Sequence, residues 1–208
     1  MPKVSTAKNN VKYLFLTGVL ISLIGWIWET VFVFFVYGPN DRGFLTLPLC
    51  TIYGFAVILV YVILKTPTDM RIFGKLKFRG STVLKYVMYF VFSMLIATVI
   101  EFVTAVFFDK GFDLELWTYD GMGNNFLGYI APLPSLAWGG AITLFMRFVF
   151  TPLFNAVKRI DEKTANIFFI VLLVAIIADY AFNYIYLFVN GKHFDIPFFD
   201  KLYKLVRG

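Results

Sequence analysis

LKYVMYFVFSMLIATVIEFVTAVFF, residues 84–108, decides the fold. Past Lys85 its only charged side chain is Glu101, and the run is longer than the about 20 apolar residues that a helix needs to cross a hydrocarbon core. In lipid each backbone N–H and C=O must be bonded within its own segment, so such a run predicts a transmembrane helix. Four further segments of this kind surround it, at about 13–37, 45–65, 126–150 and 166–190. Of the 208 residues, 60% are hydrophobic, 20% aromatic and only 15% charged. The mean hydropathy is +0.76. A soluble domain of this length has no core large enough to hide five such runs. The expectation is an all-α, polytopic transmembrane helical bundle with five spans in a single domain, 1–208, and membrane lipids as its solvent.

Lys3, Lys8 and Lys12 precede the first run as in a signal peptide, but Tyr13 to Tyr37 is too long, carries Glu29 and lacks a small-x-small cleavage site, so it is expected to remain as the first span. Charge between the spans predicts topology. The connection from Lys65 to Lys85 holds Lys65, Arg71, Lys75, Lys77, Arg79 and Lys85 against Asp69 alone, and the positive-inside rule makes it cytoplasmic. Arg147, Lys158, Arg159 and Lys163 agree with that side, whereas Asp109, Asp113, Glu115 and Asp120 mark the connection 109–125 as external. The N-terminus is then cytoplasmic and the C-terminus extracytoplasmic. The tail 191–208 closes with Phe198, Phe199, Leu202 and Leu205 on one face and Lys201 and Lys204 nearby, which suits an interfacial amphipathic helix. The net charge of +6 lies between apolar runs and forms no nucleic-acid-binding face. Cys50 is alone, which excludes an intrachain disulfide, and with only His193 as a soft partner no metal site is expected. His193 itself reads as a surface imidazole.

A weak repeat runs through the first four segments. Gly25 and Glu29 match Ala97 and Glu101; Phe44-Leu45 matches Phe126-Leu127; Cys50-x-x-Tyr53-Gly54 matches Ser135-x-x-Trp138-Gly139. It makes segments three and four a parallel copy of one and two, built either for packing alone or as the halves of a transporter. Small and polar residues at helical spacing mark a buried stripe in every segment: Gly18, Ser22, Gly25 and Glu29; Thr46, Cys50 and Gly54; Ser93, Ala97, Glu101 and Ala105; Ser135, Gly139, Thr143 and Arg147; Ala175, Asp179 and Asn183. Pro48, Pro132 and Pro134 are expected to interrupt the outer ends of segments two and four, beside an outward-facing polar cavity.

A carboxylate inside a bilayer costs at least about 2.5 kcal/mol unless paired or protonated, which makes Glu29, Glu101 and Asp179 the most informative residues. Arg42, in the short first outer loop, is the expected cation, since guanidinium binds carboxylate bidentately. The group reads either as a substrate or proton site or as an ion pair that fixes helix register. Trp117 and Tyr119 read either as an interfacial aromatic belt or as a lid stacking on a ligand. Tyr53 and Trp138 either line the cavity or pack outward. The candidate substrate-binding set is thus Glu29, Arg42, Glu101, Trp117, Tyr119, Trp138, Asp179 and Asn183. No Walker A sequence, dinucleotide-binding glycine pattern, HExxH or serine elbow is present, and no cofactor is expected. Hydrolysis of ATP would need a separate subunit, for which the cytoplasmic loop 65–85 is the expected dock.

Gly25-Trp26-Ile27-Trp28-Glu29, Arg42-Gly43-Phe44-Leu45, Pro48-Leu49-Cys50-Thr51-Ile52-Tyr53-Gly54, Glu101, Leu116-Trp117-Thr118-Tyr119, Asn125 with Gly128, and Ser135 followed by Trp138-Gly139 together form a pattern. It resembles the putative ABC-transporter type IV family, the CmpB-like membrane proteins of mainly Gram-positive bacteria, over about residues 24 to 140. The family usually carries proline where Thr51 stands and aspartate where Thr118 stands, a departure that bears on ligand chemistry. The resemblance implies a bacterial plasma-membrane protein and a permease. A transport or ligand-binding subunit is therefore expected; an intramembrane enzyme acting on a lipid or polyprenyl-phosphate headgroup, with Glu29 or Glu101 as general base, and a non-catalytic assembly or regulatory protein remain as alternatives. A homo-oligomer is compatible with each.

Overall fold

A computed structural model describes residues 7–37 and 43–194. Arg42 and the amphipathic tail lie outside the described residues, the tail from residue 195 onward. The chain is all-α apart from one small hairpin. In order come α1 (Ala7–Tyr37), α2 (Thr51–Leu64), a 3-10 turn (Pro67–Asp69), β1 (Arg71–Ile72), β2 (Leu76–Lys77), α3 (Thr82–Phe112), α4 (Pro132–Phe148), α5 (Phe150–Val157) and α6 (Glu162–Asn190). Four stretches are long and apolar enough to cross a membrane, and α4 with α5, bent by 52°, makes a fifth if counted as one broken span. The helical, polytopic membrane class expected from the apolar runs is what the structure has.

Segment boundaries differ where proline acts. Residues 45–50, expected as the start of the second span, are non-helical, and α2 begins three residues after Pro48. The fourth helix starts at Pro132, not at 126, because proline lacks the N–H that an interior turn would need and is tolerated in a first turn. Pro132 and Pro134 therefore open α4 instead of interrupting it. Past Val149 the chain bends and continues as α5.

Two compact units divide the chain, one formed by residues 1–54 and 161–208 and the other by 55–160. In the first, α1 lies along α6, with the Phe15 and Phe169 rings edge to face at 5.0 Å. Cys50 N–H donates to the Ser22 carbonyl at 3.1 Å and so fixes the start of α2 on α1. In the second, α3 and α4 pack through small residues. The Ser93 hydroxyl lies 3.3 Å from that of Thr143 and reaches the Gly139 carbonyl at 3.5 Å. Tyr89, fully buried, donates to the Lys65 carbonyl at 2.9 Å and holds the end of α2 to α3.

The buried stripes follow the spacing of small and polar residues. Gly18, Ser22, Gly25, Cys50, Gly54, Ser93, Ala97, Glu101, Ala105, Ser135, Gly139, Thr143, Asp179 and Asn183 are all buried. Arg147 departs from its stripe: it is exposed, with its guanidinium 5.4 Å from the Phe148 ring, since a charge in the last turn of a helix gains more from water and the helix dipole than from burial.

Candidate functional site

In the first unit the site grows from the absence of a side chain. Gly25 leaves room for the Tyr53 ring, which a Cβ would meet at 2.6 Å. The ring therefore lies against α1 and carries its hydroxyl to the carboxylate one turn on, donating to Glu29 Oε1 at 2.5 Å. The Cys50 thiol approaches the other oxygen, Oε2, at 3.5 Å. Glu29 is half-buried, and both of its oxygens face protein donors.

The second unit presents a carboxylate with one oxygen used. Tyr119 donates its hydroxyl to Glu101 Oε1 at 2.7 Å, and Trp138 is a further hydrogen-bonding neighbour of the same group. Glu101 is 7% exposed, and its Oε2 has no hydrogen-bond partner among the described residues. A folded loop delivers Tyr119: its N–H donates to the Gly128 carbonyl at 2.8 Å, and its carbonyl accepts from Met122 N–H at 2.8 Å. Asn125 pins the turn by accepting from Gly128 N–H at 2.9 Å and donating to the Met122 carbonyl at 2.8 Å. Trp117 belongs to the same loop, where its indole N–H donates to the Tyr129 carbonyl at 3.2 Å. The Tyr129 hydroxyl in turn bonds Asp109, which is ion-paired with Lys110 at 2.6 Å.

The repeat seen in the sequence recurs in contacts. The register that carries Glu29 onto Glu101 also carries Gly18 onto Phe90 and Ser22 onto Met94. A Cβ on Gly54 would strike the Gly18 carbonyl and the Ser22 hydroxyl, and one on Gly139 would come within 2.7 Å of Met94 and 3.1 Å of Phe90. Equivalent glycines thus seat equivalent helices, and the residue before each glycine, Tyr53 or Trp138, reaches the glutamate of its own copy.

Asp179 is engaged differently. Buried on α6, it accepts from the Thr46 hydroxyl and the Asn183 amide with Oδ1, and from Leu47 N–H with Oδ2 at 2.8 Å. The Thr51 and Tyr180 hydroxyls bond alongside. These contacts fasten residues 46–51 to α6. Asn183, 1% exposed, also donates to the Asp179 carbonyl at 2.9 Å, while its Oδ1 is without a partner among the described residues.

Three residues stand apart from the sequence reading. Lys12, one of the three lysines ahead of the first apolar run, is buried in α1 and donates to the Asn166 side chain at 2.7 Å, with Glu162 at 3.9 Å. Lys12 and Asn166 both lie near the N-terminal ends of their helices, α1 and α6. His193 is not a free surface imidazole: it is half-buried, with Nε2 3.0 Å from the Phe44 carbonyl. Tyr53, left open between lining and outward packing, sits on Glu29. Among the described residues no cluster of His, Cys, Asp and Glu is placed to hold a metal ion.

Long apolar helices with buried carboxylates held by aromatic donors define a polytopic helical membrane protein. The family described as Putative ABC-transporter type IV matches residues 15–184, nearly the whole of this architecture, and the chain belongs to that family. The match extends well beyond the pattern at residues 24 to 140. Among curated proteins and among solved structures, none matches the chain.

Proposed function

We propose that the chain is a transport or ligand-binding membrane subunit, a permease component whose polar intramembrane positions are Glu29 and Glu101. The carrying observation is the recurrence: a glutamate at the same register of each copy, in an apolar helix, reached by the aromatic residue before the equivalent glycine, Tyr53 or Trp138, and in the second copy also by the Tyr119 hydroxyl at 2.7 Å. A carboxylate in lipid is retained against its desolvation cost where it meets a partner, an ion or a substrate. Glu101, with one buried oxygen that meets no partner among the described residues, has bonding capacity to offer a ligand. The family name is compatible with an ATPase partner, and the basic connection 65–85 supports a bacterial plasma-membrane topology with that loop, and the N-terminus, in the cytoplasm.

The test is native mass spectrometry of the purified chain in nanodiscs, followed by uptake into proteoliposomes with and without an ATPase partner. Glu101→Gln and Glu29→Gln are expected to lose a copurifying ligand while keeping helicity and thermal midpoint. Loss of stability in both variants, with no ligand bound to the parent, would make the carboxylates packing elements and sink the proposal.

A further inference from the structure

The connection between α2 and α3 is not a plain loop. It folds into the β1–β2 hairpin, with Arg71 paired to Lys77 and Ile72 to Leu76. Two-residue strands do not hold by themselves in water, and here the turn is pinned to a membrane helix. Gly74 N–H donates to the Ile63 carbonyl in the last turn of α2 at 3.0 Å, and a Cβ on Gly74 would stand 3.1 Å from the Val62 carbonyl. The apolar stretch that begins with α2 runs on to Asp69. The hairpin apex is thereby drawn back to the level of the end of a membrane span and does not project away from it.

What the apex displays is unusual for a turn. Phe73 and Gly74 both have positive φ, 49° and 66°. Glycine or asparagine adopts that conformation with less strain than a bulky aromatic, yet the sequence places Phe there and exposes 75% of it. Leu76, on the returning strand, is 71% exposed. Around them Lys75, Lys77 and Arg79 are exposed and have no acidic partner among the described residues, because the one carboxylate of the loop, Asp69, is bonded to Arg71 at 3.0 Å.

An aromatic and an aliphatic tip ringed by cations, held at the depth where a hydrocarbon span ends, matches the boundary between acyl chains and anionic headgroups. We infer that the hairpin is a lipid-binding anchor: Phe73 and Leu76 enter the interface, and Lys75, Lys77 and Arg79 bind the phosphates of anionic lipids. The inference rests on the second unit alone and is independent of the role proposed for Glu29 and Glu101. A cytosolic protein with an acidic groove is the competing occupant. The lipid is favoured because the backbone bonds to α2 place the tip at a span end and leave the apolar residues facing outward there.

A spin label on Phe73→Cys, and separately on Leu76→Cys, in the full chain tests this in nanodiscs with and without phosphatidylglycerol; the unlabelled-site control accounts for buried Cys50. With the anionic lipid, accessibility to oxygen is expected to exceed that to a water-soluble nickel chelate several-fold. The triple change Lys75→Glu, Lys77→Glu and Arg79→Glu is expected to reverse that ratio and to lower copurifying anionic lipid several-fold, with the thermal midpoint unchanged. Labels that stay water-accessible in both lipids overturn the inference, as does burial that requires an added cytosolic protein. Equal lipid retention after the triple change overturns it too.

Discussion

Tyr119 donates its hydroxyl to Glu101 from eighteen residues further along the chain, at 2.7 Å, and the second carboxylate oxygen is buried with no hydrogen-bond partner among the described residues. Tyr53, which corresponds to Trp138 in the repeat, donates its hydroxyl to Glu29, and there the Cys50 thiol approaches the remaining oxygen. Each acid thus accepts from a tyrosine hydroxyl, but the two tyrosines come from different positions of the repeat.

Removing these hydroxyls is expected to separate the two copies. Tyr119→Phe leaves a buried carboxyl group short of a donor and is expected to cost about 1–3 kcal/mol. Tyr53→Phe acts on a half-buried group that keeps Cys50, and is expected to cost less than about 1 kcal/mol. Denaturation of both variants in one detergent checks the order; equal losses would show that Glu101 is not the more demanding site.

Glycine contacts between helices give a second expectation. Gly54→Ala meets backbone, the Gly18 carbonyl, whereas Gly139→Ala meets the Met94 and Phe90 side chains, which can give way. Each is expected to cost about 1–3 kcal/mol by overpacking, Gly54→Ala the more. Gly140→Ala, whose added carbon would stand 4.0 Å from Phe90, serves as the tolerated control in the same thermal scans.

Asp179→Ala removes the acceptor of Leu47 N–H and of the Thr46 hydroxyl. The expected loss is about 1–3 kcal/mol in the local opening of residues 46–51. Amide exchange at Leu47 should accelerate about tenfold for each 1.4 kcal/mol lost. An unchanged exchange rate would mean that the segment is held by other bonds.

Asp161 caps α6 by accepting from Thr164 N–H at 3.0 Å, and that bond holds its carboxyl below the ordinary aspartate range. A depressed folded value contributes stability above the unfolded pKa of about 3.9 and loses it as the pH falls through the folded value. Unfolding of Asp161→Asn, compared with the parent from neutral pH down to the acid end, is expected to lack this last acid-dependent loss. Parallel profiles would remove Asp161 from the pH dependence.

Much of this was legible in the chain. Glu29 and Glu101 announce themselves because a charge inside an apolar run is costly wherever the run folds. Their equivalence was visible in the repeat, and Gly54 and Gly139 in the same repeat turned out to seat equivalent helix contacts. Tyr119 drew notice as an interfacial aromatic, but nothing local distinguishes a belt tyrosine from one that reaches a carboxylate. Lys12 was weighed only as a positive charge ahead of the first run, and Arg147 was placed by helical spacing in a buried stripe. One is buried against Asn166 and the other exposed beside Phe148, a difference set by what each helix meets.

The amino-acid sequence by itself determined that this protein lies in a membrane as helices, because the transfer of apolar side chains and the bonding of backbone groups are local costs that add along each run. Tertiary structure alone decided which donor serves which acid, that Asp179 fastens the segment after the first loop, and that the basic loop folds back as a hairpin. Those outcomes depend on directional bonds between residues far apart in sequence, and a hydrogen bond exists only where the folded backbone brings donor and acceptor within about 3 Å of each other.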